Sequence, residues 1–177
     1  AEAWYHDAVG FCAARGITAG TGGGRFSPDA ALTRGEFIVM LMRAYGIGAD
    51  EDPADNFSDA GDTYYTGYLA AAKRLEISNG VGNNLFAPEQ EITRQDMFTL
   101  LYRALNVLGE LPEADGSAAL TDFGDAGMIS DYAEAAMETL VAAGIVSGSG
   151  GKLSPCAPKA DMIPGTSTMA SSGRLGI

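Results

Sequence analysis

The chain is poor in the residues that most often signal catalysis or metal binding. One histidine, His6, and two cysteines, Cys12 and Cys156, stand among 177 residues. Two thiols make no disulfide framework, and two thiols with one imidazole cannot close an ordinary zinc site, so no metal or cofactor is expected. His6 has no Ser or Cys partner at a recognisable spacing, and no paired-acid signature stands in its place; no enzymatic activity is expected. Long apolar runs are also missing. Every stretch is broken by a charge, Gly or polar residue well before the roughly 18 residues a membrane span requires, so no membrane insertion is expected. Bases are scarce, 11 against 23 acids for a net charge of −12, which argues against nucleic acid as a partner.

The acids are concentrated. Ile47–Thr63 holds Asp50, Glu51, Asp52, Asp55, Asp59 and Asp62 with no base, and Ala104–Gly151 is acidic throughout with no base. The run Asp50-Glu51-Asp52-Pro53-Ala54-Asp55 lacks the glycine and terminal Glu of an EF-hand loop and reads as a solvated linker. The chain opens at Ala1-Glu2-Ala3-Trp4 with neither Met nor a signal-like segment, which suggests a mature piece or part of a longer protein.

What is abundant is self-similarity. A shift of 60 residues superimposes Trp4–Gly46 on Tyr64–Asn106 without gaps, matching Ile17/Ile77, Gly20/Gly80, Gly22/Gly82, Phe26/Phe86, Pro28/Pro88, Thr33/Thr93, Arg34/Arg94 and Arg43/Arg103. A third copy begins at Ala143-Gly144-Ile145 and runs to Leu153-Ser154-Pro155. Phe57-Ser58-Asp59-Ala60 recurs as Phe123-Gly124-Asp125-Ala126. Boundaries of 1–47, 57–108 and 120–162 follow, with an irregular tail at 163–177.

Each copy predicts a helix, a loop and a second helix. Apolar stripes at helical spacing place first helices over about 4–15, 64–75 and 132–143, with Cys12 buried in the first of them. Gly16 and Gly144 stand where a helix ends in left-handed backbone. The loops Gly20–Phe26 and Gly80–Phe86 read as turns. Second helices start at Thr33 and Thr93: Thr33-Arg34-Gly35-Glu36 fits a capping box, and Thr93-Arg94-Gln95-Asp96 is a weaker version. Their apolar faces are expected to bury against the first helices, while Arg43 and Arg103, late in the second helix, complement its C-terminal dipole.

Taken together, Phe-x-Asp, a helix ending in Gly-Ile, a Gly-x-Gly loop leading to Phe-x-Pro, and then Leu/Ile-Thr-Arg-x-acid resemble the S-layer homology repeat over nearly the whole chain to about Pro155. The resemblance implies an all-α fold of three tandem helix-loop-helix repeats in a pseudo-threefold, three-pronged spindle around a central bundle. It also implies a secreted, cell-wall-bound module. Such a module holds an exported bacterial protein non-covalently to anionic, commonly pyruvylated, secondary cell wall polysaccharide. A helical scaffold for S-layer or protein–protein self-association is the competing reading.

The chemistry at Arg34 and Arg94 fits a glycan site. A cation in the first turn opposes the helix dipole by some 0.3–1 kcal/mol, and an anionic ligand inverts that sign, with helix amides and a bidentate guanidinium converging on one carboxylate. Gly20, Gly22, Gly80 and Gly82 allow close approach of a sugar, and Trp4 or Tyr64 offers an aromatic face. Surface salt bridges for the arginines and a core position for Trp4 are the plainer alternatives. Thr33, Glu36, Thr93 and Asp96 are read as helix caps. The third copy has Pro158 and Lys159 where Thr and Arg are expected, so two sites are expected and no regular helix after Pro158.

Overall fold

The computed structural model describes residues 5–114, 116 and 118–158. Among these the regular structure is helical: α1 (His6–Ala14), α2 (Arg34–Ala44), α3 (Thr66–Arg74), α4 (Arg94–Leu108) and α5 (Asp131–Ala142), with single 3-10 turns at Leu120–Asp122 and Ala126–Met128. No strand is present among the described residues; extended pairing is confined to isolated bridges such as Gly22 with Arg25 and Gly82 with Leu85. Trp4, Lys159 and the tail lie outside the described residues. No helix of the described part is long and apolar enough to cross a membrane.

The helix ends follow local chemistry. Thr33 accepts from the Glu36 amide at 3.2 Å while the Glu36 carboxylate accepts from the Thr33 amide at 2.9 Å, a complete capping box. Gly16 and Gly144 both take φ +66° just past α1 and α5. The matching residue after α3 is Glu76, forced to φ +59°. Arg43 does lie in the last turn of α2 and donates to the Tyr68 hydroxyl at 3.1 Å. Arg103 does not occupy that position, because α4 continues to Leu108 and has no base in its last turn.

Packing corrects one expectation. The apolar faces of α2 and α4 settle mainly on the first helix of the following copy, α2 on α3 and α4 on α5. One cluster joins Ile38, Met42, Leu69, Ile77, Phe86 and Ile92; a second joins Leu105, Met137, Leu140, Val141, Val146 and Leu153. The reason lies at the openings of the second helices. The Arg34 amide donates to the Gln90 carbonyl at 2.9 Å and the Gly35 amide to Pro88 at 2.8 Å; one copy on, the Arg94 amide donates to Ala157 at 3.0 Å and Gln95 to Pro155 at 2.9 Å. The orphan donors of each second helix are thus satisfied by the next copy's loop, which fixes what the helix face meets. A side chain at Gly35 would press on the Tyr65 ring and the Pro88 carbonyl, so this junction is closed to about 3 Å.

By the same logic α1 has no preceding second helix on it in the described residues. It buries none of its residues; Phe11 is 52% exposed and Cys12 is only half-buried, not the core residue its stripe suggests.

Candidate functional site: the Thr-Arg junctions and an inter-repeat cleft

The recurring Phe-x-Asp segments shape the loops. Asp59 accepts from the amides of Phe86 and Ala87 at 2.9 and 2.8 Å, and Phe57 lies against Phe86 with ring centroids 5.5 Å apart. In the third copy Asp125 accepts from Leu153 and Ser154, both at 2.8 Å. Burial opposes ionisation of Asp125, but those amides outweigh it and hold its carboxyl below the usual range. Ala87 and Ser154, the residues braced, sit in left-handed backbone at φ +59° and +52°. No Phe-x-Asp precedes the first loop in this sequence, and there the pattern differs: Ser27 has no positive φ and Phe26 is 36% exposed, where Phe86 is fully buried.

The two Thr-Arg arginines, alike in sequence, have different surroundings. Arg34 is 5% exposed; its Nε donates to the Phe86 carbonyl at 2.9 Å, its Nη1 lies 3.1 Å from Asp96 Oδ2, and its guanidinium covers the Phe86 ring at 4.9 Å. Arg94 is half-buried over Phe98 at 5.1 Å, with one bond from Nη2 to the Ser147 carbonyl at 3.0 Å. Its Nε is buried without a hydrogen-bond partner, and among the described residues no carboxylate pairs with it. Burial lowers its pKa from the ordinary arginine value, the direction expected for a cation short of a counter-charge.

The two acids of the caps diverge in the same way. Glu36 reaches back to its own Thr. The Asp96 amide still donates to Thr93 at 3.3 Å, but its carboxylate, one methylene shorter, turns outward to Arg34 and to the Tyr132 hydroxyl at 2.7 Å. Burial, and then that hydrogen bond, push the Tyr132 phenol up to about 12. Three copies therefore meet at one carboxylate: Arg34 from the first, Asp96 from the second and Tyr132 from the third.

The glycines divide by role. A Cβ on Gly20 or Gly80 would collide with the carbonyl of Arg25 or Leu85, so these positions serve the loop's own turn. Gly22 and Gly82, at φ +100° and +107°, face open space. A cleft of about 470 Å³ opens between the first loop, α2 and the second copy, lined by Ile17, Gly20, Phe26, Glu36, Arg43 and Tyr64 among others. It brings together Gly20 and Tyr64 from the sequence-derived set; Arg34, Arg94, Gly22, Gly80 and Gly82 do not line it. The helix-opening amides expected to face a ligand are instead taken by loop carbonyls. Tyr132, Ser147 and the outward carboxylate of Asp96 had no signal in sequence, since each acts across a copy boundary.

A tandem array of helix–loop–helix units joined through Thr-Arg helix openings defines a repeat-built binding module. The S-layer homology domain profile matches residues 1–38, 56–98 and 122–157, and the chain belongs to that family. It is 33% identical over 147 residues to an amylopullulanase of Thermoanaerobacterium thermosulfurigenes, covering 82% of this chain and 8% of that protein. It is 27% identical over 152 residues to an S-layer protein of Bacillus licheniformis, covering 86% and 17%. A cellulosome-anchoring protein of Acetivibrio thermocellus is 29% identical over 132 residues, covering 71% and 28%. The chain spans only a small part of these relatives, including the one named for an enzyme. Its family is one of non-catalytic surface modules on secreted, cell-surface proteins.

Proposed function

We propose that the chain anchors an exported bacterial protein to the cell wall by non-covalent binding of an anionic, pyruvylated secondary cell wall polysaccharide. The observation that carries this is the guanidinium of Arg94, held half-buried with a bare Nε and paired with no acid among the described residues. A half-buried cation short of a counter-charge is costly, and an incoming carboxylate offsets that cost with a charge-assisted, fork-shaped contact. Gly82 leaves space beside the second loop, and the cleft at Gly20 and Tyr64 offers an aromatic wall with Arg43 for a neighbouring sugar. The stacking of α2 on α3 and of α4 on α5 supports a spindle of three copies with boundaries near 1–47, 57–108 and 120–162.

Sedimentation with purified walls tests the proposal. Arg94→Glu is expected to lose retention with its far-UV spectrum unchanged, and removal of ketal-linked pyruvate from the walls is expected to do the same to the native chain. Full retention of Arg94→Glu overturns the reading. Among the described residues no second helix lies on α1, and Phe11 there is 52% exposed, which favours self-association as the second reading; concentration-dependent oligomers without glycan would mark it.

A further inference from the structure

The second loop is entered through Asn79-Gly80, the one Asn-Gly pair in the sequence. We propose that Asn79 is a site of spontaneous modification: as the protein ages it loses its side-chain amide to water, and the loop entry becomes a mixture of aspartate and isoaspartate. The Gly80 nitrogen attacks Asn79 Cγ and closes a cyclic imide. The bond from Cγ to the side-chain nitrogen breaks, and ammonia leaves with the Gly80 proton. Water then opens the ring at either carbonyl. One route gives aspartate; the other gives isoaspartate, in which the main chain runs through the former side chain. No oxidant, reductant or enzyme enters the balance.

Three observations set Asn79 apart from the other asparagines. Its successor has no Cβ to obstruct the attack, whereas Asn56, Asn83, Asn84 and Asn106 are followed by Phe57, Asn84, Leu85 and Val107. Its side chain is exposed and makes no hydrogen bond among the described residues. By contrast, Asn56 donates to the Thr66 carbonyl at 3.0 Å and accepts from the Phe57 amide at 2.8 Å, and Asn84 is held by Lys73 at 2.8 Å and Ser58 at 3.0 Å. Its backbone lies past the end of α3 and outside any bridge, and the Gly80 amide donates to the Ser78 hydroxyl at 3.1 Å. The nitrogen therefore turns toward Cγ without breaking a helix or ladder bond. Ala19 and Ser147 stand at the matching place in the other copies, so this chemistry belongs to the second loop alone.

That loop has no slack to absorb the isoaspartate product. Ile77 is fully buried and Ser78 is 3% exposed on one side; on the other, the space a Gly80 side chain would take is filled by the Leu85 carbonyl and the Phe57 ring. Isoaspartate inserts an extra methylene into the main chain between these fixed points. Aspartate adds a charge at an exposed position and keeps the main-chain length.

The test is to age the full chain in warm, mildly alkaline buffer beside a free peptide of residues 75–94, the stretch that trypsin cuts out between Arg74 and Arg94. That stretch is expected to gain one mass unit in the folded protein, with the change at Asn79 and isoaspartate identified by fragmentation. Asn79→Ser, which carries the third copy's residue, is expected to show no gain. The isoaspartate fraction, separated by ion exchange, is expected to melt below both fresh protein and freshly made Asn79→Asp, which share a normal main chain. An unchanged mass in the folded protein after the free peptide has fully converted overturns the site, as does a gain placed at Asn83 or Asn84. An isoaspartate fraction that melts with fresh protein overturns the claim that the loop has no slack.

Discussion

Replacing Asp59 by Ala removes two hydrogen bonds at once. Its carboxylate accepts from the Phe86 and Ala87 amides at 2.9 and 2.8 Å, and no other side chain among the described residues takes those donors. Hydrogen bonds to a charged group contribute about 1.5–3 kcal/mol each. Both are part-buried, so water recovers some of the loss, and the lower end applies: about 3 kcal/mol in total. The braced Ala87 sits at φ +59°, a conformation that costs roughly 1 kcal/mol and persists only while its surroundings impose it. At about 2–4 °C per kcal/mol for a chain of this size, the midpoint should fall by roughly 6–12 °C. Urea denaturation followed by circular dichroism measures the free energy, with an unchanged slope confirming that the compactness of both end states is kept. Asp59→Asn retains one carbonyl acceptor and is expected to lose about half as much. A loss below about 1 kcal/mol for Asp59→Ala, or equal losses for Ala and Asn, would refute the bracing argument.

Three further outcomes follow from the same reading. Glu76→Gly, at the helix end where the other copies already have Gly, is expected to stabilise by about 0.5–1 kcal/mol in the same assay, because the exposed Glu makes φ +59° at a cost glycine avoids. Asp125 ionises more easily folded than unfolded, so its contribution is present above the ordinary aspartate pKa and fades as pH falls through the lower folded value; Asp125→Asn should flatten the acid limb of a stability–pH curve. The Tyr132 phenol is expected to ionise near pH 12 in an ultraviolet titration, and Asp96→Asn should move it back toward the ordinary tyrosine value, since the charged acceptor is removed.

Much of the architecture can be read from residue order alone, and the limits are physical. Thr33 with Glu36, and Gly16 with Gly144, announce helix ends because capping and left-handed turns are local chemistry. The stripes of α2 and α4 announce buried faces but not their partners: periodicity says that Ile38 and Met42 are inside, and nothing in it says that α3 rather than α1 covers them. The site was half legible for the same reason. Thr-Arg marked two equivalent positions, and the copy-to-copy shift of 60 made them look identical. Arg34's own surroundings come from Asp96 and Tyr132, which lie far along the chain and meet it only after packing. Phe57 and Asp59 were visible as a recurring pair; their task, bracing a loop 27 residues away, was not.

The joints between copies are made largely of main chain: Arg34 to Gln90, Gly35 to Pro88, Arg94 to Ala157 and Gln95 to Pro155. The bond itself is the same whether the donor is Gly35 or Gln95, although the room beside it differs, since Gly35 lies closed against Tyr65 and Pro88. A seam written in peptide groups survives mutational drift on either side of it. Duplicated units inherit a working attachment from the outset and are free to diverge in what they hold.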